Sequence, residues 1–173
     1  MCILSEDTYG VDFLRRVVGR LIKEGFVSPV QLVEGGHSNG MAGNVCNTKV
    51  NRILRAAISE GVCDCVVVAI DADGHDPAAK EQEFTGKHVP TELRGSVCVL
   101  AFEQEAEEWT TVSMGKGVAP GGLKPSEYLR QHERYEKRKL PECAYELNLD
   151  SLRELRSFRK FLECLGCGRR RSF

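Results

Sequence analysis

Short apolar runs alternate with amphipathic stretches along this chain, the pattern of repeated βαβ units. The run Cys65-Val66-Val67-Val68-Ala69-Ile70 is continuous rather than alternating, which predicts a strand buried on both faces. Val97-Cys98-Val99-Leu100-Ala101-Phe102 predicts a second of the same kind, and Cys2-Ile3-Leu4 a shorter first strand. Residues 27–33 read as a further strand, with Pro29 marking its start or an edge. Between these runs, Thr8 is placed to cap a helix over 9–24, with Val11, Leu14, Val18, Leu21 and Ile22 on one face. Thr48 opens a helix to 59, and Pro77 suits the first position of a helix to 84.

After a Gly-rich stretch at 114–124, helical segments are predicted near 126–138, 141–147 and 150–165. The last carries Leu152, Leu155, Phe158, Phe161, Leu162 and Leu165 at helical spacing, a core-packing face. The order βαβαβαβ followed by helices predicts an α/β, Rossmannoid three-layer sandwich: a parallel four-stranded sheet covered on both faces, with additional C-terminal helices.

A length of 173 residues suits one domain, read as an α/β core over 1–112 and a helical C-terminal extension over 113–173 packed on the same domain. No apolar stretch approaches the ~20 residues needed to span a bilayer. The N-terminus shows no basic region followed by a long apolar one, so a cytoplasmic protein without a secretory signal is expected. That compartment casts Cys2, Cys63, Cys65 and Cys98 as small apolar residues in or beside strands. Cys164-Leu165-Gly166-Cys167 reads as an incidental pair of thiols ahead of a redox or zinc role, since no second CxxC stands at zinc-site spacing, with an intracellular disulfide the alternative in a hyperthermophile.

The net charge of −1 hides an asymmetry. Residues 1–112 carry 10 Lys/Arg against 17 Asp/Glu, and residues 113–173 carry 14 against 8. An acidic half beside a basic one suits a cation site next to a phosphate-binding surface.

The acidic half concentrates its carboxylates where strands end. Glu6 follows the first strand, Asp71-Ala72-Asp73-Gly74 the third, and Glu103, Glu105 and Glu107 the fourth. Ligands of open parallel sheets bind outside the carboxyl ends of the strands. Carboxylates crowded there repel one another unless a hard divalent cation, Mg²⁺ or Mn²⁺, neutralises them. Side chains two apart in an extended segment point the same way, so Asp71 and Asp73 are expected to meet one cation together. The Gly-rich loop over 34–47 lacks both the GK[ST] ending of a P-loop and the GxGxxG of a dinucleotide fingerprint.

A Glu after the first strand and a DxD after the third, in this element order, resembles the Toprim domain. That module is shared by topoisomerases, bacterial primases, small RNA-maturing nucleases and OLD-family endonucleases. The first motif here is Ile3-Leu4-Ser5-Glu6-Asp7, with Asp7 standing where Toprim domains usually have Gly. Leu32-Val33-Glu34-Gly35 offers the Glu-Gly pair after the second strand, so Glu34 is an alternative first-motif glutamate. Glu105-Ala106-Glu107-Glu108-Trp109 and Ser157-Phe158-Arg159-Lys160-Phe161-Leu162 resemble segments of small stand-alone Toprim-like proteins related to the OLD endonucleases.

The resemblance implies a Toprim-like fold and metal-dependent nucleic-acid phosphodiester cleavage. Asp71 and Asp73 would bind Mg²⁺ or Mn²⁺, Glu6 would ligate metal or act as general acid/base, and Glu105 and Glu107 are candidates for a second metal. The alternative is a noncatalytic nucleic-acid or protein-binding module with a degenerate site; a homodimer or a protein partner stays open. A small-molecule phosphohydrolase with an aspartyl nucleophile ranks third, because its DxD belongs after the first strand.

Lys124, Arg130, Arg134, Lys137, Arg138 and Lys139, and the tail Arg169-Arg170-Arg171, are the candidate phosphate contacts. Trp109 reads as core, His75 and His88 as structural or solvated, and Asp76 as the cap of the helix at Pro77.

Overall fold

The structure is a computed structural model and describes residues 1–33, 45 and 49–167. Its sheet has three parallel strands in the order β1 (Cys2–Leu4), β2 (Val66–Asp71), β3 (Val97–Phe102). Helices follow as α1 (Thr8–Lys23), α2 (Val50–Ser59), α3 (Pro77–His88), α4 (Glu108–Ser113), α5 (Pro125–His132), α6 (Leu140–Cys143) and α7 (Arg156–Leu165).

The central strand explains the layering. Val67 and Ala69 of β2 face an apolar cluster built with Phe13, Leu14 and Val17 of α1 and Phe158 and Phe161 of α7. Val66, Val68 and Ile70 face the other way, into a cluster with Leu54 of α2 and Phe84 of α3. A strand covered on both faces has no polar position to spare, which is why β2 and β3 read as unbroken apolar runs. Trp109 lies at the centre of the first cluster, fully buried, with the rings of Phe13, Phe102, Phe158 and Phe161 centred 5.2–5.8 Å away. Leu129, Leu140, Leu147 and Leu152 join that same cluster, so the C-terminal helices share a core with α1.

The expected four-stranded sheet is corrected at residues 27–33. That segment is irregular and forms no ladder among the described residues. It touches the sheet through two backbone bonds, the Met1 amine to the Gln31 carbonyl (2.9 Å) and the Val33 N–H to the Met1 carbonyl (3.0 Å). Pro29 brings no N–H, and β1 is only three residues long, so little edge remains to pair. Smaller differences follow local chemistry. Asp7, not Thr8, caps α1, its Oδ1 accepting from the Gly10 N–H at 2.6 Å. The helix expected over 150–165 begins only at Arg156, the residues before it forming turns.

The cysteines overturn the expectation of free thiols. Cys2 is bonded to Cys63, Cys65 to Cys167, and Cys98 to Cys164, while Cys143 is free. Cys164 and Cys167 therefore do not pair with each other; each fastens α7 or its end to a different strand. Cys2, Cys65 and Cys98 all lie where strands begin, so a parallel sheet gathers them at one edge, a proximity that sequence spacing does not display. No helix among the described residues is long and apolar enough to cross a membrane.

Candidate metal centre

The carboxyl ends of the strands form the opposite edge. Ser5 and Glu6 leave β1 and turn at once into α1. Gly10 is required there, because a Cβ would stand only 2.5 Å from the Ser5 hydroxyl. This tight entry lays Glu6 across the end of β2, where its Oε1 accepts the Asp71 N–H at 3.2 Å. Beyond Asp71 the backbone stays zipped to the β3 exit: Ala72 N–H to Phe102 carbonyl (3.0 Å), Asp73 N–H to Gln104 (3.2 Å) and Gly74 N–H to Glu103 (2.9 Å). The chain turns through left-handed residues at Asp73 (φ 50°) and Gly74 (φ 79°).

That turn separates the two aspartates. Asp71 points into the sheet edge, whereas Asp73 is exposed and its Oδ1 bonds the Lys124 ammonium at 2.7 Å. The expectation that positions i and i+2 share one direction fails because Asp73 is no longer in extended backbone. Burial first, then the neighbouring Glu6 carboxylate, raises Asp71 to about 8; Lys137 opposes the shift, and Glu107 and Glu105 add to it. Glu6 is also raised, by burial and by Asp73 and Asp7, against the pull of its Asp71 hydrogen bond and of Lys137. Two carboxyls held above their usual range at one strand end are mutually destabilising as anions, the condition a divalent cation relieves.

Lys137 occupies the middle of this acidic edge. Its ammonium lies 2.9 Å from the fully buried Glu107 and 3.4 Å from Asp7. Glu107 also accepts the Tyr135 hydroxyl at 2.6 Å. The Tyr135 phenol is pushed up by burial and by the Glu107 charge. Burial opposes the Lys137 ammonium, but Glu107 and Asp7 hold it protonated with its pKa raised.

Glu105 serves elsewhere, its Oε1 accepting the Ser126 N–H at 2.5 Å in the first turn of α5. The neighbouring Glu108 is buried and raised to about 7 chiefly by desolvation. It accepts from the Ser157 hydroxyl (2.5 Å) and the Gln104 N–H (2.9 Å), while the same Ser157 oxygen accepts the Trp109 indole N–H (2.9 Å).

Of the residues singled out from sequence, Glu6 and Asp71 are in direct contact, and Glu107 joins them electrostatically through Lys137. Asp73 and Glu105 are held by Lys124 and Ser126. Glu34 and Arg169-Arg170-Arg171 lie outside the described residues. Among the described residues, no three Asp, Glu, His or Cys side chains already stand as a coordination shell. The donors at this edge are nonetheless hard oxygens, of the kind that suits Mg²⁺ or Mn²⁺.

The basic run does not form one surface: Lys124 and Lys137 turn into the acidic edge, Arg138 pairs with Glu136 at 2.6 Å, and Lys139 bonds the Arg134 carbonyl at 3.3 Å. Asp76 caps α3 as expected, accepting the Ala78 and Ala79 N–H groups. Sequence reasoning named Lys137 only as one of a run of candidate phosphate contacts, and missed Asp7 and Tyr135 as members of the site. The one available signal was Asp7 itself, standing beside Glu6 where a glycine was expected. No family model matches this chain, and neither does any curated protein or solved structure.

Proposed function

We propose that the protein is a Toprim-like, Mg²⁺- or Mn²⁺-dependent hydrolase of nucleic-acid phosphodiesters. The observation that carries this reading is the contact of Glu6 with Asp71 across the carboxyl ends of β1 and β2. Glu6 and Asp71 would hold the cation, with Asp73 and Glu107 within reach once Lys124 and Lys137 release them; Glu105 would first have to leave Ser126. The cation would polarise the phosphoryl oxygen and supply a hydroxide nucleophile at neutral pH.

The chain's own residues do the rest. Where Asp71 holds the cation without Glu6, the Glu6 carboxyl, raised by burial, would instead carry a proton to the leaving oxygen or from the attacking water. Lys137 and Lys124 lie close enough to meet negative charge on the substrate. The reading keeps the protein in the cytoplasm with its substrates; disulfides persist there in hyperthermophiles. A thiol count on freshly purified protein tests that part.

A noncatalytic binding module is the second reading. It is favoured by Lys137 and Lys124, which already meet the charges of Glu107, Asp7 and Asp73 without any cation. Calorimetric titration with Mn²⁺ and Mg²⁺, followed by cleavage assays on DNA and RNA oligonucleotides, separates the two. The hydrolase reading expects binding and cleavage in the wild type, with cleavage reduced about 100-fold or more in folded Asp71→Asn and Glu6→Gln. Nucleic-acid binding without cleavage, unchanged in both variants, supports the module instead.

A further inference from the structure

Beside the acidic edge, a cleft of about 250 Å³ runs between the end of β2 and one face of α3. Glu6, Ile70 and Asp71 line one side, and Lys80, Phe84, Lys87 and His88, with Glu83 beside Lys87, the other. The α3 residues fall at i, i+3, i+4, i+7 and i+8, a single helical stripe. Phe84 anchors that stripe in the core, and His88 lies against it with ring centres 4.9 Å apart. Lys87 is engaged by Glu83 at 2.5 Å. Lys80 takes part in no ion pair among the described residues, yet it is half-buried at the wall of a cleft. Its charge acts on Glu83 without a direct contact, so the ammonium keeps its hydrogen-bonding positions for an anion from outside.

The size limits what that anion is. About 250 Å³ falls below the ~300–1,000 Å³ of pockets that enclose a drug-sized ligand. It admits a phosphate with its sugar but not two nucleotides. The cleft also shares no lining residue with four larger cavities elsewhere on the molecule, so it does not run on into any of them as a groove. A carboxylate ligand would gain nothing from carboxylates on the opposite wall, whereas a phosphate can face Lys80 and share a cation with Glu6 and Asp71.

We propose that this cleft is a subsite for the phosphate and ribose of a strand-terminal nucleotide, with Lys80 as the charge that holds the phosphate. The assignment rests on the hydrolase reading for its substrate class and makes strand ends the preferred substrate. His88, backed by the buried ring of Phe84, forms the wall against which the sugar lies, and Lys87 reinforces Lys80 to the extent that Glu83 releases it.

Calorimetry with 5′-AMP, 3′-AMP, inorganic phosphate and adenosine in Mg²⁺ tests it on the full chain, using wild type, Lys80→Met and Lys80→Arg. At least one AMP isomer is expected to bind stoichiometrically, with adenosine silent and phosphate weaker. Lys80→Met should weaken binding about tenfold or more, and Lys80→Arg should restore most of it. Thermal melting of each variant shows that the fold is kept. No nucleotide binding by wild type, or equal binding by folded Lys80→Met, overturns the subsite. Absence of oligonucleotide cleavage with Lys80-dependent AMP binding would sink the hydrolase reading and leave the subsite standing. Cleavage with Lys80-independent binding would do the reverse.

Discussion

The two edges of the sheet are held together in opposite ways. At the edge where strands begin, Cys2, Cys65 and Cys98 are each covalently fixed to a partner. At the edge where strands end, Glu6, Asp7, Asp71 and Glu107 are gathered around one ammonium, and two of these carboxyls are held above their ordinary range. One edge is built for permanence and the other holds groups that would be more stable apart. Unfavourable electrostatics tolerated beside a rigid framework is the usual signature of a site rather than of a scaffold.

Breaking the covalent edge should have the largest effect. Replacing Cys98 and Cys164 together by Ser opens a closure of 66 residues and is expected to lower stability by about 2–5 kcal/mol. Divalent-cation affinity measured well below the melting temperature should stay unchanged. Denaturant melts and a parallel titration check this, and a coupled loss of affinity would show that the edges are not independent.

Ser157→Ala comes next. It leaves the Glu108 carboxyl and the Trp109 indole N–H without their shared partner, which costs about 1–3 kcal/mol. Chemical denaturation reads the loss directly.

The acidic edge should then declare itself through pH. Folded Asp71 keeps its proton to about 8, whereas the unfolded chain releases it near 3.8, the ordinary value of an aspartate. Between those values the folded state binds more protons, so stability falls as pH rises and levels off above about 8. Glu108, raised to about 7, adds a slope of the same sign. Melting temperatures in chelator from pH 5 to 9 should therefore decline. Asp71→Asn should flatten the decline and melt higher than wild type at the alkaline end. A wild-type profile that rises toward pH 8 would contradict this account of the edge.

The smallest effect is expected from Lys124→Ala. Its ion pair with Asp73 is exposed on both sides, so stability should change by no more than about 0.5 kcal/mol. Freeing Asp73 should nevertheless tighten Mn²⁺ binding, a gain that calorimetry resolves.

What could be read from the sequence follows the range of the forces involved. β2 and β3 were legible because burial on both faces writes itself as an unbroken apolar run, and Trp109 because so large an aromatic belongs in a core even when its sequence neighbours Glu107, Glu108 and Thr110 are polar. The exits of the parallel strands were legible too, so Glu6 after β1 and Asp71 at the end of β2 could be placed at one edge from topology. The segment at 27–33 carries the composition of a strand, but pairing depends on how much edge its neighbour offers, which is a tertiary property. Asp73 was misread in direction because a single left-handed residue reverses a side chain without altering the local pattern. Lys137 was hidden among other basic residues; only the fold distinguishes the one turned toward Glu107 from those facing water. The disulfides join residues 61, 102 and 66 positions apart, beyond any local signal.

The two cysteines that end α7 also settle a question of rotation. A helix fastened at one point can still roll about its axis. Cys164 is tied to β3 and Cys167, just past the helix end, to the residue before β2, so the two attachments fix the azimuth of α7 as well as its position. Ser157 lies seven residues before Cys164, about two turns away, and so presents the same side of the helix. The bond at one end thus sets the bearing of a hydroxyl at the other, and that bearing lets one oxygen serve Trp109 and Glu108 together.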